Sequence, residues 1–577
     1  MNRNHIQQGN YTKLSGFRQV VLSLDYGFQI GPKEPVRLLD AVLEELDYTR
    51  LQHLYSSKGR KSLVPPHLLF KVYVLAMTEG IVSVRKIAEQ CTKNIHYMWL
   101  LQGYPTPSHM VFHRFFQRLT VDVLRDLLSQ FIQALSEFDS LDFSEVFIDG
   151  TKWEAYANKY TFVWKKAILK HYAKLPDKLL VLQYEIQNLL DIDVSDMTED
   201  ELLVLLEQSI REKQIEFVHG TGKRKHPLQR AFESCLALRD KRNEYDEKLA
   251  ILGFRNSYSK TDHDATFMRL KEDHMLNGQL KPAYNVQLAV HSEYIMGVGV
   301  FPNPTDTNTL IPFMQQLEGQ YKQHFQYVVA DAGYDSNENL AWLWAHDYKT
   351  CIKPSTYELS KTKKYKKDIG RADNMVYDEA TDTFTCAKGR TLRFQYIRRN
   401  KSKTGFIKQN RVYRCENCNY CGLRKECQKL KFGKLPKGNK TIYIATDYRE
   451  LLAKNKAVFD SDYGLQLRVN RSIQVEGAFG ITKEDFEYTR FRHRGKVNVE
   501  KDLLLLAFGY NLLKLHNRIQ KKRLGQVIVV AEKSGIDTLE DLAGKTVGVQ
   551  AASAALDLLK SEEEGGTEKT GRYIWSL

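Results

Sequence analysis

The sequence lacks an apolar run long enough to cross a bilayer. Its most apolar late stretch, LLLLAFGYNLLKLH, is short and broken by Asn511 and Lys514, so it reads as a core helix. The opening residues, MNRNHIQQGNYTKLSG, are polar and lack the apolar segment of a secretory signal. Both absences point to a cytoplasmic protein and away from the membrane. Acidic residues are in deficit, 70 Asp and Glu against 85 Lys and Arg, for a net charge of +15. An excess of cations neutralises phosphates and releases counterions, which favours a polyanionic partner. Charge alone does not separate nucleic acid from an anionic membrane surface. Cysteine is sparse outside one stretch: five of the eight lie between Cys386 and Cys427. In a reducing compartment such a cluster points to metal before disulfide. At 577 residues the chain has room for several domains and a large core.

Residues 1–142 read as an all-α domain. PPHLLFKVYVLAM, SVRKIAEQC (capped at Ser83) and PSHMVFHRFFQRL (capped at Ser108) make three helices with tight turns, as in a helix-turn-helix-like unit. Arg114 and Arg118 stand four apart on one face of the third, beside His113 and Gln117. That face is either a DNA contact or a solvated basic surface. From 143 to 164 a strand, Val146–Ile148, ends on Asp149 and turns at Gly150. Residues 165–255 are charged and Leu-spaced, which predicts an inserted helical hairpin with the basic turn GTGKRKHP. Residues 256–348 return to strands in KPAYNVQLAVHSEYIMGVGVFP, then a helix, then the strand Tyr327–Ala330 that ends on Asp331. A second, basic and Cys-rich insertion runs over 349–456, and helical patterning resumes over 457–523. The order strand, insertion, strand, strand, helix, strand resembles the start of an RNase H-like sheet. The expected fold class is therefore α/β. It is a mixed RNase H-like sheet with helices, interrupted by a helical and a Cys-rich insertion and preceded by an all-α domain.

Phosphoryl transfer on nucleic acid uses two divalent cations held by three or so carboxylates from strand tips and a helix. Asp149 and Asp331 are the best strand-tip candidates, although Asp331 also reads as a turn residue before a helix capped by Asp335 or Ser336. Glu476, in SIQVEGAFGITK, is the best helix candidate because its neighbours are small or apolar.

Three stretches, FIDGTKWEAYANKYTFVWKK, VVADAGYDS and RVNRSIQVEGAFGITKEDFEYTRFRHRGK, resemble bacterial insertion-sequence DDE transposases of the cut-and-paste class, over roughly residues 15–520. The resemblance implies that Asp149, Asp331 and Glu476 are the catalytic ligands of Mg²⁺ or Mn²⁺. It also implies that Lys483 contacts phosphate near the cleaved end. The family's Tyr-Arg-Glu-Lys signature matches only in its second half. Its Tyr and Arg positions fall on Val469 and Ser472, with Arg468 and Arg471 flanking the expected arginine and standing as DNA-contact candidates. Glu484 and Glu487 are competing glutamates. The resemblance further implies double-stranded DNA partners (transposon ends and target), a homodimer or higher oligomer on paired ends, and a place on the nucleoid. Trp153, Trp164 and Tyr488 read as core aromatics, with stacking on an extruded base as the alternative. The alternatives to an active transposase are a catalytically inactive DNA-binding relic and an RNase H-like nuclease that does not join.

CENCNYCGLRKEC gathers Cys415, Cys418, Cys421 and Cys427, with Cys386 earlier in FTCAKGR. Cys-x2-Cys pairs beside Gly and basic residues favour a closed tetrahedral Zn²⁺ site, filled by four of the five. The spacing to Cys427 is too long for a ferredoxin-type iron–sulfur run, and the following Pro is absent. Cys386, Cys418, Cys421 and Cys427 are the set most like the family's. Cys91, Cys235 and Cys351 read as core residues. Residues 524–577 form an acidic tail in which TLEDLAGKTVGVQ resembles a fragment of periplasmic solute-binding proteins, as if a second gene had been fused on.

Overall fold

The computed structural model describes residues 30–524, apart from 32, 56–61, 140, 221–223, 271–277, 322, 403, 430–436 and 487, together with 547–549 and 573–575. Its strands are β1 Glu145–Glu154, β2 Phe162–Trp164, β3 Ser257–Ser259, β4 Thr266–Arg269, β5 Leu280–His291, β6 Tyr294–Phe301, β7 Tyr327–Ala330 and β8 Lys349–Ile352. In the Cys-rich insertion follow β9 Val376–Asp378, β10 Thr383–Thr385, β11 Thr391–Lys401, β12 Ile407–Cys415 and β13 Thr441–Ile444.

The central sheet has six strands, ordered β4-β5-β1-β7-β8, with β6 also paired to β5. β5 runs antiparallel to β1 and to β6, whereas β7 and β8 run parallel to β1. This is the expected RNase H-like mixed sheet. The β5–β6 hairpin turns on Ser292 and Glu293, both with positive φ, which is the two-residue turn that matches strand twist. One sequence expectation is corrected here. Asp149 does not end its strand, because β5 keeps pairing with β1 as far as Glu154. Only the parallel partner β7 stops beside Ile148.

The N-terminal helices share one hydrophobic core with this sheet, which runs from Ile30 to Leu515. Helix Pro66–Thr78 is buried over most of its length and packs on the long helix Lys496–Leu524. Its Lys71, with no exposed surface, is held by Asp40 and Glu44. Ser83 and Ser108 stand at the helix starts expected of them, without side-chain cap bonds. Asn511 on the long helix bonds both backbone groups of Ile295 on β6 (2.8 and 2.9 Å). At the opposite edge Asn455, on helix Thr446–Phe459, does the same for Ile352 on β8 (2.9 and 2.7 Å).

The first insertion is not a hairpin. It holds four helices, Lys165–Tyr172, Leu175–Leu190, Glu199–Glu212 and Pro227–Leu252, around their own small core. The Leu spacing reads alike for two helices or four; the breaks at 173–174 and 191–198 make the difference. The chain enters and leaves it through the antiparallel pair β2–β3. The second insertion carries a five-stranded antiparallel sheet, β13-β12-β11-β10-β9. β8, at the start of the segment 349–456, belongs to the central sheet. Of the tail, Val547–Val549 and Tyr573–Trp575 pair in parallel, and the rest of the fragment-like stretch lies outside the described residues.

Candidate active site and metal centre

The last parallel pair of β1 and β7 is Ile148 with Ala330. The next residues on the two adjoining strands are Asp149 and Asp331, so the register sets them side by side. Asp331 Oδ1 accepts the Gly333 N–H (2.8 Å) and caps a tight turn, Ala332–Tyr334. Ser336, and not Asp335, caps the following helix, while Asp335 accepts from Tyr448 Oη (2.8 Å) and Ser355 N (2.7 Å). The cap role and a ligand role for Asp331 are thus compatible, since the turn uses one of its carboxylate oxygens.

A third aspartate, Asp306, stands beside the pair. Its Oδ1 accepts from Asn285 Nδ2 (2.7 Å) and Gln287 Nε2 (3.1 Å), both on β5. The Tyr334 hydroxyl, fully buried, donates to Gln287 Oε1. Burial pushes that phenol well above its ordinary pKa, and the charges of Asp306, Asp149 and Asp331 push it further. Tyr334 is therefore a fixed neutral donor at the floor of a cluster of three aspartates. Glycines keep the space open: a Cβ on Gly150 would lie 2.7 Å from Asp306 Oδ1, and one on Gly333 3.0 Å from Asp331 Oδ1.

Glu476 lies on a helix that begins at Asp462 and runs on through two π-helical turns, Ser472–Glu476 and Ile481–Asp485. The first of these packs against β1 and β5, and Glu476 itself is exposed. Arg471 Nη1 reaches Asp149 Oδ2 at 3.0 Å. Lys483 Nζ donates to Thr151 Oγ1 (2.8 Å) and lies 5.2 Å from the Trp153 ring centre. Asp149, Thr151 and Trp153 alternate along one face of β1, so Arg471 and Lys483 meet the strand on the face that carries Asp149. Asp149, Asp331 and Glu476 are not gathered to within 4.8 Å of one another.

The five clustered cysteines all line one cavity of about 20 Å³, together with Arg390, Arg424 and Lys440 among others. Cys386 follows β10, Cys415 ends β12, and Cys427 lies on the short helix Arg424–Gln428. The Lys440 N–H donates to Cys418 Sγ (3.2 Å), and the Cys415 thiol faces Asn417 O (3.5 Å). No three of these sulfurs lie within 4.8 Å of one another. Burial pushes the Cys415 thiol up to about 12 and the Cys427 thiol upward as well, so both are protonated at neutral pH unless a cation replaces the proton.

Residues 25–118 match a family model described as Transposase domain (DUF772), and residues 385–516 match one described as Transposase DDE domain. Together the two matches indicate an insertion-sequence DDE transposase. Neither the curated proteins nor the solved structures give a match. In this transposase the DDE-domain match spans the cysteine cluster and the Glu476 helix. Asp149 and Asp331 lie outside it and stand on the sheet register.

The position expected of the signature arginine falls on Ser472, one residue after Arg471. Arg471 precedes Glu476 by five residues where the signature has four, and the interval is spanned by a π-helical turn. A π-turn closes on i→i+5, so Arg471 lies one turn before Glu476, as a residue four back would on an α-helix. Arg468 faces elsewhere, its guanidinium 4.2 Å from the Phe459 ring centre and its Nε bonded to Gly464 O (3.2 Å). Arg114 and Arg118 are exposed on helix His109–Arg118 and line a groove of about 580 Å³ with Tyr55, Leu63 and Pro107. Arg118 stacks 4.6 Å from the Tyr55 ring centre. Trp153 and Tyr488 are core residues, joined by a bond from Trp153 Nε1 to Tyr488 O, and Trp164 packs on Phe162 and Phe267. Glu484 is exposed, and Glu487 lies outside the described residues. Cys91, Cys235 and Cys351 are buried. Among the described residues no helix is long and apolar enough to cross a membrane.

Sequence reasoning missed Asp306, whose only signal is an Asp in the turn-like NPTDTN. It also missed Asp142, Glu145 and His291, which bring three ligand atoms within 4.8 Å at the other end of β1. There His291 Nε2 is 3.2 Å from Asp142 Oδ1, and burial lowers the imidazole pKa. A buried neutral histidine bonded to an aspartate accounts for that group.

Proposed function

We propose that this transposase cuts the ends of an insertion sequence and joins them to target DNA at a centre made by Asp149, Asp331 and Glu476. The observation that carries the reading is the parallel register that leaves Asp149 and Asp331 next to each other on adjoining strands. Hard carboxylate oxygens suit Mg²⁺ or Mn²⁺, which when bound would polarise the phosphodiester and the attacking oxygen. The glycines at 150 and 333 let the Asp306 and Asp331 carboxylates and Gln287 pack close to the backbone. Arg471 and Lys483, on the Asp149 face of β1, steady the charge that grows on the phosphate in the in-line transition state. Hydrolysis leaves a 3′-hydroxyl, which then attacks a target phosphodiester. One P–O bond forms for each that breaks, so the joining step needs no nucleotide energy. Two copies act on paired ends.

The cysteine cluster is proposed as a structural Zn²⁺ site made by Cys386, Cys418, Cys421 and Cys427. Cys415 is the spare thiol in this set, the one most like the family's, and its thiol faces Asn417 O (3.5 Å).

The test compares the full chain with Asp331→Asn on duplexes carrying the element's ends, with Mg²⁺ or Mn²⁺. Asn keeps an acceptor for the Gly333 N–H, so the turn is retained. Cleavage leaving 3′-hydroxyl ends is expected from the wild type and should fall by about 10²–10³-fold or more in the variant. Absence of cleavage by either, with end binding intact, identifies a relic; cleavage without joining identifies a nuclease.

A further inference from the structure

Between Thr391 and Cys415 the chain carries eight Lys and Arg and no Asp or Glu. β11 and β12 form a ribbon that outgrows its own sheet. β10 pairs with β11 only at Thr391–Arg393, and β13 pairs with β12 only at Arg411–Arg414. Beyond those pairs the two strands continue with each other alone, to Lys401 and Ile407.

The two faces of the ribbon differ. Lys408, Asn410 and Val412 turn toward the body of the protein: Asn410 and Val412 are buried, and Lys408 Nζ lies 5.9 Å from the Tyr448 ring centre. The opposite face carries Ile397, Arg399 and Lys401 across from Gln409 and Ile407, with Arg399 directly opposite Gln409. All five are exposed. Arg399 and Lys401 have no carboxylate partner among the described residues, whereas the neighbouring Arg393 and Arg411 are held by Glu416 and Asp382. Two isoleucines, 48% and 56% exposed, are an unusual cost on a soluble edge unless something covers them.

From this face we infer that the β11–β12 ribbon is a major-groove reader of double-stranded DNA, giving the transposase sequence preference beside its cutting centre. The inference rests on the DNA reading made above. The dimensions agree: two strands lie about 5 Å apart, and the major groove, about 12 Å wide, admits a two-stranded ribbon. The chemistry agrees as well. Arginine pairs with the guanine edge, glutamine with the adenine edge, and isoleucine packs on a thymine methyl, while lysine contacts phosphate. Position ties the ribbon to the site. Thr404 at its tip donates to Glu338 Oε2 (2.8 Å) on the helix that follows the Asp331 turn. Tyr448, beneath Lys408, donates to Asp335 Oδ1 (2.8 Å), four residues from Asp331. Both contacts set the ribbon beside the turn that carries Asp331.

The test uses the full chain to enrich binders from a pool of randomised duplexes. Affinities for the enriched duplex and a shuffled one are then measured for wild type and for Arg399→Ala/Gln409→Ala. The expected result is a loss of about 5- to 150-fold on the enriched duplex and little change on the shuffled one. Lys401→Ala should weaken both duplexes alike and reduce the salt dependence of binding. An equal loss on both duplexes in the double variant, or no loss, overturns the groove-reading role. If the wild type itself enriches nothing, the DNA-end reading fails first, so the two failures are distinguishable.

Discussion

At Gly150 an added methyl group would sit 2.2 Å from Gln287 Nε2 and 2.7 Å from Asp306 Oδ1. Gln287 cannot move aside cheaply, because it also bonds Asn285 and accepts from buried Tyr334. Gly150→Ala should therefore cost about 1–3 kcal/mol by urea unfolding and disturb the placement of Asp149, with cleavage lost even where the chain still folds. A variant as stable and active as wild type would remove Asp306 and Gln287 from the account of the site. At this scale the sequence was legible in part. Asp149 and Asp331 stood out as candidates because each follows an apolar run and precedes a small residue, Gly150 or Ala332. Asp306 could not, because its turn joins β6 to a helix and meets the aspartate pair only through tertiary packing. Arg471 was visible as a candidate, but spacing arithmetic assumes an α-helix. The π-turn that absorbs the extra residue has no clear mark in SIQVE.

Among the elements, the sheet's two edges are closed in the same way. Asn511 and Asn455 each use one amide to satisfy both backbone groups of a single edge residue, Ile295 and Ile352. An unpaired edge is a template for association with another strand, and here each edge is covered by a helix that carries the matching amide. Replacing either Asn by Leu strands a buried N–H and C=O. A loss of roughly 2–4 kcal/mol is expected from each by chemical denaturation, with an added tendency to aggregate. A loss below about 0.5 kcal/mol would mean that water or a neighbour takes over the pairing. Asn511 was conspicuous in the sequence as the polar break in LLLLAFGYNLLKLH. Its break excluded a membrane span, but its task on β6 could be seen only once the long helix was laid against that edge.

For the whole molecule, separate cores matter more than separate segments. The sheet and the N-terminal helices share one core, whereas each insertion keeps its own, and that of the Cys-rich insertion is small. So small a core depends on a staple, which the proposed zinc supplies. Chelation of the full chain should therefore speed amide exchange across residues 376–444 while leaving the slow exchange of β1, β5 and the long helix unchanged. Exchange that stays slow throughout, or that rises everywhere together, would count against an independent zinc-stapled unit. Composition marks both stretches in the sequence, a charged Leu-spaced one and a basic Cys-rich one. The sequence did not foretell that the all-α region would merge with the sheet, because periodicity marks which face of a helix is buried and not against what.

The narrow neck of the helical insertion has a consequence for how the chain folds. Glu154 on β1 and Lys281 on β5 are 127 residues apart in sequence, yet they are paired across the sheet. Closing so long a loop slows folding, because its entropy is lost before the strands gain their contacts. The β2–β3 pair, with Phe162 opposite Ser259, brings the two ends of the insertion together. Once the four helices have collapsed on their own core, the sheet meets a short loop in place of a long one. The insertion thereby shortens the search that its own length would otherwise impose.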